Sequence, residues 1–164
     1  KPYIVHRLDK ETSGILIVAK TREYAQLFTS LFRIRKIHKT YIALTYGKIS
    51  KSRDTLKDDL IYYDNGKKIF QKAISHLKVL KSSDEYSYVE LNPITGRKHQ
   101  LRKQLYNIGN PIVGDSKYFI NTNKSKSKSL MLHAYKIKFM INNIQYNFKA
   151  EYNKDFEEFL KIKF

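Results

Sequence analysis

The sequence predicts an α+β domain with a mixed, largely antiparallel central sheet and flanking helices. Two observations carry that expectation. Strand-like segments outnumber segments of helical period, and several strand-like segments are joined by short turns, as at Asp64-Asn65-Gly66 and Asn142-Asn143. No internal repeat or linker divides the 164 residues, a length that suits one domain with a real hydrophobic core.

In chain order, Ile15–Ala19 is a short apolar run and reads as a strand. Thr21 suits the cap of the next helix, because its hydroxyl accepts a free backbone N–H. Tyr24, Leu27, Phe28, Leu31 and Phe32 repeat at three- and four-residue spacing, as one buried helix face does. Thr40–Tyr46 reads as a strand ended by Gly47. Residues 48–70 are polar and turn-rich, with Asp64-Asn65-Gly66 as a hairpin tip. Lys72–Leu80 and Tyr86–Leu91 read as paired strands, and Pro93 to Gly96 as a turn. Leu101, Leu105 and Ile108 mark a second helix that Gly109 stops. Asn121–Ser129 is a low-complexity Lys/Ser/Asn stretch, read as a mobile loop. Leu130–Ile141 and Ile144–Ala150 alternate like a hairpin, and Phe156, Phe159 and Leu160 suggest a closing helix.

Composition narrows the function. Thirty-two Lys+Arg against 15 Asp+Glu give a net charge of +17, which calls for a polyanionic partner. Nucleic acid leads; compositional drift toward Lys, Asn and Ile is the bland alternative. An anionic membrane surface ranks lower, because no basic amphipathic helix stands out. With no Cys there is no disulfide, thiolate zinc site or Cys nucleophile. No apolar run approaches the roughly 20 residues that span a bilayer. The five His residues stand at no metal-ligand spacing, and no phosphate loop, dinucleotide fingerprint or nucleophile elbow occurs. Residue 1 is Lys, so the natural chain is expected to begin further upstream.

Two segments are too specific to be anonymous: His6-Arg7-Leu8-Asp9-Lys10-Glu11-Thr12-Ser13-Gly14 and Asn92-Pro93-Ile94-Thr95-Gly96-Arg97-Lys98-His99-Gln100-Leu101-Arg102. A carboxylate between Arg7 and Lys10 in a Thr/Ser/Gly turn fits a nucleophile or base kept ionised by its cationic neighbours. It fits a structural ion pair equally well. Gly14 either lets a nucleic-acid backbone approach or simply permits an unusual backbone angle.

With Lys39-Thr40-Tyr41-Ile42-Ala43-Leu44, Gly109-Asn110-Pro111-Ile112-Val113-Gly114-Asp115 and the Leu130–Tyr135 strand, this set, in this order, resembles the RluA family of RNA pseudouridine synthases. The resemblance runs over nearly the whole chain. It implies a pseudouridine synthase catalytic domain over residues 1–164, trimmed on its N-terminal side, since the family's earlier Asn-Lys-Pro strand and any S4-like module are missing. Lys98 stands where the family usually has Thr or Ser, and Lys103-Gln104 where it has Val-His.

The resemblance also implies the chemistry. Asp9 matches the catalytic Asp of a reaction that cleaves the uridine C1′–N1 bond, rotates the uracil and reattaches it through C5. No metal, ATP or organic cofactor takes part. Tyr41 matches an active-site Tyr that stacks on the flipped base and assists C5 proton removal; a core strand aromatic is its plain alternative. Arg102 matches the Arg that pairs with the catalytic Asp, since a fixed guanidinium can orient a carboxylate through two hydrogen bonds. Arg7, Lys10, Arg97, Lys98 and His99 are the expected RNA contacts, Arg97 and His99 also as residues that order the turn. Placed on one helix, Arg97 and Arg102 would point roughly 140° apart. The expected partner is RNA, ribosomal RNA of the large subunit first and transfer RNA second, met by a cytoplasmic monomer with no membrane. An RNA-binding protein that has lost catalysis is the alternative; the joint presence of Asp9, Tyr41 and Arg102 argues against it.

Overall fold

The computed structural model describes residues 1–120, 127 and 129–164. Its elements are β1 (Tyr3–Ile4), β2 (Ser13–Gly14), β3 (Val18–Ala19), α1 (Arg22–Arg33), β4 (His38–Tyr46), β5 (Arg53–Asp64), β6 (Lys67–Ser82), β7 (Tyr86–Pro93), α2 (Gln100–Asn107), β8 (Leu132–Ile141), β9 (Ile144–Lys149) and α3 (Lys154–Lys163). β2, β8, β4, β7, β6 and β5 lie side by side in one sheet, β9 adds to β8, and β1 pairs with β3 apart from it. Among the described residues, only β2 and β8 run parallel; the other ladders are antiparallel. This is the α+β architecture the sequence predicts.

Local chemistry explains most boundaries. The Thr21 side chain accepts the Tyr24 N–H at the start of α1, as its cap role requires. Both hairpin tips use left-handed pairs, Asn65-Gly66 and Asn142-Asn143, which match the twist of the flanking strands. The main core gathers Ile42, Leu44, Leu77, Val89, Leu91, Leu105 and Phe156 between the sheet and the helices α2 and α3. A second cluster packs Phe28 of α1 with Ala19, Ile137 and Phe139.

Two expectations need correction. Ile15–Ala19 is not one strand: β2 ends at Gly14 and β3 begins at Val18. The Ile15 N–H still reaches Ala134 O, but the Ile17 N–H donates to His6 Nε2, a side chain, so no ladder runs through the segment. Residues 48–70 are also less turn-like than they read. Twelve of them form β5, whose only buried residues are Leu56 and Leu60, so its composition looks like that of a loop. The Asn121–Ser129 stretch, with Lys124, Lys126 and Lys128, falls mostly outside the described residues.

Gly14 matters for position. It sits at φ +105°, and a Cβ there would come 2.2 Å from Ala134 O. The close approach is to the protein's own β8, so this glycine fastens the loop before it to the sheet.

Candidate active site

Asp9 lies on the loop between β1 and β2, closed by a Thr12 N–H to Asp9 O bond of 2.9 Å. It lines an open cleft of about 960 Å³ together with Arg7, Tyr41, Arg97, Lys98 and His99. Lys10 is exposed and does not line this cleft. The basic side chains nearest the carboxylate are not its sequence neighbours. Arg102 Nη1 is 3.7 Å from one oxygen and His99 Nε2 is 3.8 Å from the other. Both distances exceed hydrogen-bonding range, and among the described residues no side-chain hydrogen bond to this carboxylate is formed.

Arg102 is 4% exposed and stands behind the cleft rather than on its lining. Its two-pronged donor is used, but not on Asp9. Nε and Nη2 each donate to Asp115 at 2.7 Å. Asp115 also accepts the Lys117 and Tyr118 N–H groups, both at 2.9 Å. Burial alone would raise the Asp115 pKa; the Arg102 and backbone hydrogen bonds outweigh it and hold the carboxyl below its usual range. The hydrogen bonds to Asp115 raise Arg102 above its ordinary value, against burial, with the charges of Asp115, Asp9 and Glu11 adding to them. Arg102 therefore presents one fixed edge to Asp9, with Glu11 at 3.7 Å as a third carboxylate. The expected two-bond clamp goes to Asp115, and Asp9 receives the remaining charge.

His99 holds its position at a backbone cost. It is left-handed, at φ 53°, immediately before α2, and non-glycine residues adopt that region rarely. Its Nδ1 lies 3.1 Å from the Tyr118 hydroxyl, which fixes the ring with Nε2 toward Asp9. Burial foremost, and the charges of Arg102, Lys117 and Lys98, lower the His99 pKa against the pull of Asp9, so the neutral ring dominates near pH 7.

The turn that carries Arg97 and His99 is secured by a buried polar network. Gln100 Oε1 accepts the Thr95 hydroxyl at 2.7 Å and the Arg97 N–H at 3.0 Å. Gln100 Nε2 donates to Ile74 O and Ser75 Oγ. Ser75 donates to Gln104, which donates in turn to Leu56 O and Asp58. Arg97 precedes α2, so the helical angle expected between it and Arg102 does not apply. Its Nε donates to Lys72 O at 3.2 Å, tying the turn to β6. The unusual Lys103-Gln104 pair also works here: Lys103 Nζ donates to Ile61 O and Gln104 joins the network.

Tyr41 sits on β4 beside a register shift between Thr40 and Tyr41. Burial, and then the Asp9 charge, push its phenol up to about 12, so it keeps its proton at neutral pH. Asn92 donates to Lys39 O and Thr40 Oγ1, bracing the strand just before it. Sequence reasoning assigned no role to Asp115, Tyr118, Lys39 or Gln100. Gly114-Asp115 and Lys39 lay within the quoted motifs; Tyr118 offered no signal. Among the described residues, no group of three or more His, Cys, Asp or Glu is placed to hold a metal ion. No helix among them is long and apolar enough to cross a membrane.

The cleft sets a carboxylate against a buried arginine, a strand tyrosine and a basic lining, and comparison with known proteins gives the family of the chain that carries it. The family model described as RNA pseudouridylate synthase matches residues 1–107. The chain belongs to the RNA pseudouridylate synthases, and among them to the RluA type. It is 42% identical over 144 residues to ribosomal large subunit pseudouridine synthase C of Rickettsia felis, covering 80% of this chain and 46% of that protein. It is 34% identical over 172 residues to ribosomal large subunit pseudouridine synthase D of Borreliella burgdorferi, covering 98% of this chain and 52% of that protein. The chain thus spans about half the length of these curated relatives. The solved structure of human RNA pseudouridylate synthase domain containing 1 superposes with a TM-score of 0.83 at 28% identity, covering 93% of this chain and 69% of that one.

Proposed function

We propose that this chain is the catalytic core of a cytoplasmic, monomeric enzyme that isomerises uridine to pseudouridine in RNA. Large-subunit ribosomal RNA is the first candidate substrate and transfer RNA the second. Asp9 is the catalytic carboxylate. The observation that carries this reading is the cleft itself: Asp9 lines it, with a buried cation behind one oxygen and His99 beside the other.

The reaction is redox-neutral and loses no atoms. The C1′–N1 bond breaks, a C1′–C5 bond forms, and the C5 proton leaves as N1 gains one. A positioned carboxylate serves as nucleophile toward the sugar or the base, or as the base that removes a sugar proton. Each route needs an anion with free lone pairs, and among the described residues Asp9 has the Arg102 charge and the His99 ring nearby without hydrogen bonds that would occupy them. The target uridine must leave its stack to reach Asp9. Tyr41, a neutral phenol on the cleft wall, offers a face for the extruded base. Arg7, Arg97 and Lys98 on the cleft rim suit phosphate contacts, and exposed Lys10 can reach phosphate outside it.

The test is a pseudouridine map of RNA from cells with and without the gene. The expected result is loss of one or more pseudouridines from large-subunit ribosomal RNA. Identical maps in all RNA would overturn the activity and leave a binding protein.

A further inference from the structure

The hairpin of β5 and β6 extends past the rest of the sheet. β7 pairs with β6 only from Ser75 onward, so in Lys67–Ile74 the ladder partner is β5 alone. An isolated two-stranded arm is marginal in water and needs bracing. One face has it. Leu56, Leu60, Ala73 and Ser75 are buried, and α2 holds that side through Gln104, Asn107 and Lys103.

Among the described residues, the other face has no such cover. The register sets Ile61 opposite Phe70, Tyr63 opposite Lys68, and Asp59 opposite Lys72, and paired residues share a face. Tyr63 is 70% exposed and Phe70 60% exposed. Lys68 Nζ stands 5.1 Å from the centre of the Phe70 ring. Ile61, Phe70 and Tyr63 are neighbours on this face, so they form one exposed apolar strip rather than scattered single residues, and contiguous apolar surface is what marks an interaction site. Arg97 links this face to the catalytic cleft, because it lines the cleft and its Nε holds Lys72 O.

We propose that this outer face of the hairpin grips an unpaired stretch of the substrate RNA next to the target uridine, with Tyr63 and Phe70 stacking on bases and Lys68 and Lys72 on phosphates. The inference rests on the reading of the chain as an RNA-modifying enzyme. Charge selects the occupant. Lys68 and Lys72 outnumber Asp59 on this face, and the whole chain carries +17. Every base has a π face, so aromatic platforms hold single strands with little sequence preference, whereas bases inside a duplex are not free to stack.

The experiment is an equilibrium titration of the full-length protein with two RNAs, one single-stranded and one fully duplex, at several salt concentrations. For Tyr63→Ala with Phe70→Ala, affinity for the single strand should fall about tenfold or more, with the salt slope kept. Duplex affinity should change little. For Lys68→Ala with Lys72→Ala, the slope of log affinity against log salt should shrink by roughly one unit per lost phosphate contact. Wild-type affinity in the aromatic variant, or equal losses on both RNAs, would overturn the stacking surface. A melting curve for each variant separates these outcomes from unfolding, and Tyr63→Phe, which keeps the ring, should bind as wild type does. If the wild-type protein binds neither RNA, the underlying reading fails rather than this surface alone. A salt-independent loss of a protein partner in the same variants would replace RNA with protein as the occupant.

Discussion

Arg102 and Asp9 face each other at 3.7 Å, but the chain holds them in different ways. Arg102 is buried on a helix, fixed by two 2.7 Å bonds to Asp115, and its helix is pinned to β6 by the Gln100–Ser75–Gln104 network. Asp9 rides on a loop between two-residue strands, fastened by Gly14 against β8 and by the short turn to Thr12. The cationic half is preorganised, so its field is present before the substrate arrives and costs no reorganisation during the reaction. The anionic half keeps its lone pairs for chemistry. A carboxylate saturated with hydrogen bonds would be easy to position but a poor nucleophile or base.

The largest expected effect comes from breaking the rigid half at its root. Asp115→Asn keeps the shape but takes the one hydrogen-bonded carboxylate from a buried guanidinium, and breaking a buried pair costs about 3–5 kcal/mol. Chemical denaturation should show a stability drop of that order, and single-turnover pseudouridine formation should slow at temperatures where the variant is folded. Unchanged stability together with an unchanged rate would mean that Asp115 does not position Arg102.

A smaller change sharpens the same contrast. Arg102→Lys keeps the charge but loses the planar donor that serves Asp115 and Asp9 together. At saturating RNA its rate should fall on the order of a hundredfold, as a misplaced catalytic contact does. Arg97→Lys should leave that rate near wild type and instead weaken RNA affinity or lower the melting temperature, because Arg97 ties the turn to Lys72 O. A reversed pattern in single-turnover kinetics would exchange the two roles.

The smallest effect concerns the loop half and pH. His6 accepts the Ile17 N–H through Nε2, and its pKa is pushed down from 6.5 to about 4, by burial first and the Lys39 charge second. Between those values the unfolded chain binds the proton and the folded chain refuses it. Stability that is complete above pH 6.5 should therefore drain away as the pH falls toward 4. His99 and His133, also lowered by burial first, add to the same trend. Melting curves from pH 7 to pH 4.5 should show a shallower acid loss in His6→Gln than in wild type. Equal slopes would mean that His6 carries none of the effect.

What was legible in the sequence follows the same division. Helix faces, caps and hairpin tips are written in local spacing, and α1, α2 and both Asn-containing tips stand where that spacing puts them. The candidate site residues Asp9, Tyr41 and Arg102 lay in contiguous motifs. The pairing of Arg102 with Asp9 followed from the resemblance they carry; its two-bond partner Asp115 did not. Asp115 meets Arg102 only after α2 and the 111–115 turn fold together, and a charge flanking Asp9 in sequence says nothing about a charge opposite it in space. β5 was missed because only two of its residues are buried, and an exposed arm has little hydrophobic pattern to read.

The central claim is that the Asp9 carboxylate makes and breaks the glycosidic bond. Asp9→Asn keeps its size and removes its charge. Single-turnover pseudouridine formation by the full-length variant, at saturating RNA and with affinity measured in parallel, tests this most directly. The account predicts no detectable pseudouridine with RNA affinity little changed. Turnover near the wild-type rate would contradict it.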